Sequence, residues 1–155
     1  MSTFVELEDG LFALVQEIRD EHPQLHGPPA RLWGKTHVSL LPAIWIDLQP
    51  ESEVNDSASL AGCSVADDVR VAIRIAVDTA AEGTGQDAHH LGGYVDPVLG
   101  LVDRAMNESK DRFGGGVYLA RRLRFSFELA SLGTTQAQTL VIPLLLQWQH
   151  DTPTA

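Results

Sequence analysis

The chain has 155 residues, of which 44% are hydrophobic and 21% are charged, a composition typical of a soluble globular protein large enough for one packed core. Eleven Lys and Arg residues against 21 Asp and Glu residues give a formal net charge of −10 at pH 7. This charge disfavours tight, nonspecific binding to nucleic acid, which depends on neutralising phosphates, and it disfavours adsorption to an anionic membrane. The single cysteine, Cys63, cannot form an internal disulfide, which favours a reducing compartment.

The sequence also lacks the signals of export and membrane insertion. No basic segment followed by an apolar stretch stands at the N-terminus, so we expect no signal peptide. The apolar runs are much shorter than the roughly 20 residues that a membrane-spanning helix needs. The sequence therefore predicts a soluble protein made in the cytoplasm.

The first half of the chain begins with one predicted helix and one predicted strand. Apolar residues at helical spacing, with acidic residues opposite them, predict an amphipathic helix over about residues 3–21. Residues 22–37 hold three prolines and two glycines, which predicts a long, mobile loop. A strand is predicted within residues 38–50, where Pro42 indicates a strand start, a bulge or a sheet edge because proline cannot donate a backbone hydrogen bond.

The clearest strand signal lies over residues 68–78. Every second residue there is apolar and β-branched, which predicts a strand with one buried face. These residues are Val69, Val71, Ile73, Ile75 and Val77. The polar segments on either side predict mobile loops near residues 50–67 and 79–90.

A second helix is predicted from apolar residues at helical spacing between Val95 and Met106. Asp96 is expected to be its N-cap and Pro97 its first residue, because these residue types favour those positions. The alternative is that a preceding turn through His89 and Leu91 is helical as well. The helix is predicted to end near Ser109.

Two alternating segments near the C-terminus predict an antiparallel hairpin. The apolar residues of the first run from Leu123 to Leu129, and those of the second from Leu140 to Trp148. Pro143 in the second segment indicates an edge strand or a bulge. The last strand is therefore predicted to be where another subunit pairs with or covers the sheet.

The order of these elements predicts an α+β fold, a mainly antiparallel sheet of about four strands packed against two helices. The sequence contains no internal repeat and no segment with the composition of an interdomain linker. We therefore expect residues 1–155 to form a single domain.

Two neighbouring histidines are the first candidate site. His89, His90 and the nearby Asp87 carry metal-binding side chains, but they match no recognised ligand spacing, and adjacent side chains point in different directions. A polar loop before a helix is the simpler interpretation. The functional alternative is a small α+β metal- or ligand-binding domain, or an enzyme, that uses this region.

The glycine clusters and the cysteine are weaker candidates for chemistry. Gly92-Gly93 and Gly114–Gly116 lack the Gly-Lys-Ser/Thr ending of a phosphate-binding loop, so we expect the triple glycine to form a flexible turn. Cys63 has acidic neighbours at positions 67 and 68, which disfavour a reactive thiolate. The sequence therefore predicts no catalytic, metal or cofactor-binding residue.

Arginines on two predicted strands are the candidate subunit interface. Arg70 and Arg74 alternate with the apolar residues of the 68–78 strand, and Arg121, Arg122 and Arg124 cluster on a later one. If these strands are neighbours, Arg70, Arg74, Arg122 and Arg124 form a basic stripe that fits the acidic loops of a like subunit in a head-to-tail, ring-forming contact. A solvated sheet face with intramolecular ion pairs, each worth about 0–1 kcal/mol, is the equally open alternative.

As an order of elements, nearly the whole chain resembles the tail terminator (tail completion) proteins of tailed bacteriophages. The resemblance lies in the N-terminal amphipathic helix, a strand of the type Leu-Pro-Ala-Ile-Trp-Ile (41–46) and a long polar loop. It continues with a strand of the type Val-Arg-Val-Ala-Ile-Arg-Ile-Ala-Val (69–77), a second helix and a closing hairpin.

The resemblance implies a structural virion protein without enzymatic activity, cofactor or membrane partner. It implies a homohexameric ring at the head-proximal end of the tail, which caps the tail tube, stops its growth and joins it to a head-side connector or neck protein. DNA would pass through the lumen without specific binding, and a net charge of −10 is compatible with such a lumen because like charges repel. An adaptor whose acidic surface binds a basic partner is a further hypothesis.

Overall fold

Five strands and three helices form the part of the chain that the structure, a computed structural model, describes: residues 4–27, 41–48, 64–78, 91–114, 116–132 and 135–151. The helices are α1 (Phe4–Glu21), α2 (Gly92–Asn107) and α3 (Ser109–Arg112). The strands are β1 (Ala43–Leu48), β2 (Ser64–Asp78), β3 (Val117–Arg122), β4 (Ser126–Leu132) and β5 (Thr135–Asp151). Neighbouring strands are antiparallel in the order β1, β2, β5, β3, and β4 also pairs with β5. The predicted α+β class is confirmed, with five strands where about four were predicted.

The long strands β2 and β5 form the centre of the sheet. All 15 residues of β2 pair with β5. Ile73 lies opposite Ile142 and Val71 opposite Leu144, and all four side chains are fully buried. The buried face predicted for residues 68–78 is therefore confirmed.

Both long helices pack on the face of the sheet that carries these apolar residues. Side chains spaced three or four residues apart place one side of each helix in the core. From α1 these are Leu7, Leu11, Leu14, Val15 and Ile18, and from α2 they are Tyr94, Val98, Val102, Ala105 and Met106. Burial of one large aliphatic side chain stabilises a fold by about 1.5–3 kcal/mol, so this interface is a principal source of stability.

α2 begins at Gly92, so Asp96 is not its N-cap and Pro97 is not its first residue, and the alternative of a helical turn before them is confirmed from Gly92 onward. The extra turn is stabilised by burial, because Leu91 and Tyr94 are almost completely buried. Pro97 consequently lies in the second turn and cannot make the backbone hydrogen bond of that position, a cost that the burial offsets.

β2 begins earlier than predicted. The sequence pattern predicts a loop over residues 50–67, but the backbone of Ser64–Asp67 pairs with Trp148–Asp151 of β5. The length of β5 explains the difference, because pairing satisfies backbone hydrogen-bonding groups whatever side chains they carry. The loop prediction is therefore wrong over these four residues.

β5 is a central strand, so of the alternatives for Pro143 the sheet edge, and pairing there with another subunit, is wrong. That another subunit covers the sheet stays a prediction. β3 and β4 share one side of β5, and residues 123–125 between them are not in a strand. The Pro143 carbonyl accepts a hydrogen bond from the Leu123 backbone N–H at 2.8 Å. Because N–H and C=O of one strand residue point to the same side, the missing N–H of Pro143 faces this break, where regular pairing has stopped.

The segment before β1 agrees with its predicted irregularity. Residues 22–27 form a turn, and His26 donates a backbone hydrogen bond to the Pro42 carbonyl and accepts one from Ile44, each at 2.9 Å. Pro42 directly precedes β1, which confirms the predicted strand start.

Several predictions concern residues outside those that the structure describes. They are Cys63 and the loop residues 28–37, 50–63 and 79–90. Within the described ranges, none of the helices is long and apolar enough to cross a membrane.

Candidate functional site

Arg74 is the centre of an ion-pair group on the face of the sheet opposite α1 and α2. It lies on β2 across from Trp45 of β1. Its Nε is 2.8 Å from Asp47 Oδ2 on β1, close enough for an ion pair but without hydrogen-bond geometry. Its Nη1 donates to Glu128 Oε2 on β4 at 3.2 Å. One guanidinium therefore connects three strands. At this position the structure favours a sheet face with intramolecular ion pairs over an arginine that is available to another subunit.

Trp45 fixes the carboxylate of this group. Its indole is buried, and Nε1 donates to Asp47 Oδ2 at 3.0 Å. Three buried alanines lie in the same apolar cluster: Ala43, Ala76 and Ala137. Because Asp47 Oδ2 contacts both the indole N–H and the Arg74 guanidinium, the geometry is that of a structural link.

Arg70 lies further along the same face. It is paired in register with Leu145 of β5, which is paired in turn with Arg121 of β3. Leu145 is buried, whereas Arg121 is exposed and makes no ion pair with another described residue. Because β5 separates β2 from β3, the strands that carry the arginines are not neighbours.

Arg122 lies on the opposite face from Arg70 and Arg74. Its Nε donates to Asp103 Oδ1 at 2.7 Å and its Nη2 to Oδ2 at 3.4 Å, so a two-pronged pair joins β3 to α2. Arg124 is exposed in the break between β3 and β4. These four arginines therefore do not form one stripe, and their part in a subunit interface stays a prediction.

Exposed apolar side chains at the edge formed by β3 and β4 were missed by the sequence analysis. Leu119, Phe127 and Leu129 are 41%, 49% and 73% exposed. The alternation predicts burial of Phe127 and Leu129, but it carries no information on how far the helices reach. α2 and α3 lie over β3, and no described helix contacts β4 to a similar extent. Phe125 does reach the core, and its ring packs edge-to-face on Phe127 with centroids 5.8 Å apart.

Two further polar contacts position the helices. Arg112 donates to Glu17 Oε2 at 2.7 Å and to Glu108 Oε2 at 2.9 Å, joining α3 to α1. The hydrogen bond with Glu17 raises the pKa of Arg112, so this side chain stays cationic. These contacts hold α1 and α3 together beside the core.

Tyr94 carries a buried phenol at the start of α2. Its hydroxyl accepts a hydrogen bond from Gln24 Nε2 at 3.1 Å, and its ring packs edge-to-face on His22 with centroids 5.3 Å apart. Burial raises the pKa of Tyr94, and the hydrogen bond from Gln24 offsets part of that rise. This group joins α2 to the turn after α1.

The structure offers no support for the alternative site at His89 and His90. Both histidines and Asp87 lie outside the described residues. Within the described ranges, no three His, Cys, Asp or Glu side chains converge on a point that could hold a metal ion. The candidate phosphate-binding glycines lie elsewhere: Gly92-Gly93 begin α2, and Gly114 forms a turn with a φ of 84°.

Comparison with known proteins gives no family for this chain, because no protein-family model and no curated protein matches its sequence. The fold and its surfaces are therefore the evidence on function. Of these surfaces, the β3–β4 edge has the exposed apolar character of a protein contact.

Proposed function

We propose that this protein is a structural component of a phage virion, a tail terminator that forms a homohexameric ring. The ring caps the tail tube, stops its growth and joins it to a head-side connector. The observation that carries the proposal is the order of elements: a helix, two strands, a second long helix followed by a short one, and three strands of which the last two form a closing hairpin. Both long helices lie on one face of the antiparallel sheet. This is the order on which the resemblance to tail terminator proteins rests.

The exposed apolar side chains of the β3–β4 edge support a role in assembly. Each subunit of a ring must present contact surfaces to two neighbours. Phe127 and Leu129 are large, apolar and next to each other on one face of an edge strand. Clustered exposure of this kind marks protein contacts more often than scattered single residues do.

The charge of the chain is compatible with passage of DNA without retention. A net charge of −10 repels phosphates, and specific or nonspecific DNA binding requires cations that neutralise them. We expect no shift of a DNA duplex by the purified protein in a gel mobility assay at physiological salt.

Tail tubes grown in vitro test the proposal. Tube protein polymerised in the presence of this protein is expected to give shorter tubes with additional density at one end in negative-stain electron microscopy. An unrelated acidic protein of similar size serves as the control. Tubes of unchanged length without end density would contradict the proposed function.

A further inference from the structure

β4 is a strand whose helix-side face is incompletely covered. Phe127 is paired in register with the buried Leu140 of β5, so it points to the face on which α1 and α2 pack. Phe127 and Leu129 are nevertheless 49% and 73% exposed. The helical layer therefore stops short of β4 and leaves an apolar strand face that another helix can cover.

The same edge is basic within an acidic protein. Residues 117–132 contain three arginines against one glutamate, in a chain of net charge −10. Arg122 is paired with Asp103, and Glu128 with Arg74. Arg124 is exposed in the break before β4 and pairs with no other described residue. Arg121 is exposed too, but its register with Leu145 places it on the opposite face of the sheet. Charge complementarity therefore predicts an acidic partner that also offers an apolar side chain.

The outer side of α1 is acidic and carries an exposed apolar side chain, as such a partner must. The helix holds six acidic residues against one arginine. Its exposed residues are Val5, Glu6, Asp9, Ala13, Asp20 and Glu21. Val5, 60% exposed, is the largest apolar side chain among them. A second copy of the chain can therefore supply the partner that the β3–β4 edge requires.

The β3–β4 edge and the outer side of α1 lie toward opposite edges of the sheet. α1 contacts β1 more extensively than it contacts any other strand, and β1 and β4 lie on opposite sides of the central pair β2 and β5. A contact between the edge of one copy and α1 of the next leaves one unused surface of each kind, so the same contact can repeat. Head-to-tail contacts of this type build rings when the rotation between copies closes.

We propose that the outer side of α1 of one copy packs on the exposed face of β4 of the next copy. Val5 contributes apolar contact to Phe127 and Leu129, and the acidic residues of α1 pair with Arg124 in the break before β4. This inference rests on the proposed ring function and assigns the two surfaces that join its subunits.

Complementary charge reversals test the assignment. The edge variant is Arg124→Glu, and the helix variant is Asp20→Arg. Sedimentation velocity over a concentration series is expected to show that each variant alone associates at least about tenfold more weakly than the wild type, because like charges face each other. In an equimolar mixture the two variants can alternate around an even-numbered ring, so that each edge meets a helix of opposite charge. The mixture is therefore expected to regain the wild-type assembly.

Two variants with the same changes in charge serve as matched controls. Arg104→Glu and Asp96→Arg alter exposed residues of α2. Both are expected to associate like the wild type, and circular dichroism establishes that every variant is folded.

The outcomes separate this inference from the ring itself. A hexameric wild type whose assembly neither reversal weakens, or whose weakened variants do not recover on mixing, overturns the assigned contact and leaves the ring. The wild type could instead form a series of open oligomers that the charge reversals dissociate and that mixing the variants restores. This result supports the assigned contact and contradicts the hexamer. A wild type that stays monomeric at every concentration overturns the inference.

Discussion

At Gly10, α1 approaches the end of α3 so closely that a side chain does not fit. A Cβ there would overlap the carbonyl oxygen of Arg112 and lie 2.8 Å from the ring of the fully buried Phe113. Alanine favours a helix over glycine by about 1 kcal/mol, but overpacking a core costs about 1–3 kcal/mol. We expect Gly10→Ala to lower the free energy of unfolding, measured by urea denaturation.

Gly100→Ala is the matched control, since it makes the same substitution on α2 where a Cβ would meet no atom within 4 Å. This variant is expected to raise the free energy of unfolding by about 0.5–1 kcal/mol through helix propensity alone. Equal stabilisation by both substitutions would show that α1 and α3 are not packed as described.

The buried phenol of Tyr94 is expected to make the folded protein less stable at alkaline pH. Burial raises its pKa above the ordinary value of 10.0, so the folded state favours the neutral phenol. The stabilisation is complete below pH 10 and is lost as the pH rises through the folded pKa. We expect Tyr94→Phe to cost about 0.5–1.5 kcal/mol at neutral pH through the lost hydrogen bond, and to flatten the fall of unfolding free energy above about pH 10. Identical alkaline profiles of the two proteins would contradict the burial of this phenol.

At the scale of elements, Arg74 and Glu128 connect β2 to β4 across β5. The Glu128 side chain is 53% exposed, so solvent screens the pair. A double-mutant cycle with Arg74→Met and Glu128→Gln is expected to give a coupling free energy of about 0–1 kcal/mol that falls at high salt. A coupling of several kcal/mol that salt leaves unchanged would mean that the pair is much more deeply buried.

The sequence predicts helices and strands whose buried side chains recur at a regular spacing. It does not predict features that depend on contacts between residues far apart in the chain. The alternation of Val69 to Val77 specifies β2, and helical spacing specifies α1, because each pattern determines which side chains share a face. Pro143 indicates an irregularity correctly, but the strand order that places it opposite the break at 123–125 depends on contacts remote in sequence. The sequence leaves the start of α2 open between two positions for the same reason, since the buried contacts of Tyr94 with His22 and Gln24 involve a distant segment.

The candidate surface could be predicted in part. The arginines were identified from their types and spacing, but their division between two faces depends on β5 lying between β2 and β3. The exposure of Phe127 and Leu129 depends on where the helical layer ends, which no local pattern in β4 encodes. Sequence periodicity therefore finds the residues of this surface without finding which of them are available to a partner.

At the scale of the whole molecule, self-association is expected to depend on ionic strength. The proposed contact joins a basic edge to an acidic helix, and added salt screens exposed charges over distances beyond about 10 Å at 0.1 M. Light scattering at increasing salt concentration is expected to show progressive dissociation, with Phe127→Ser weakening association further at each concentration. Stronger association at high salt would mean that apolar contact alone joins the subunits.

The mass of the assembled protein tests the central claim most directly. Native mass spectrometry of the wild-type chain over a concentration series measures how many copies associate without reference to any partner. The ring account predicts a six-subunit species as the closed end point, with no larger species at higher concentration. A monomer or a dimer as the end point would contradict it.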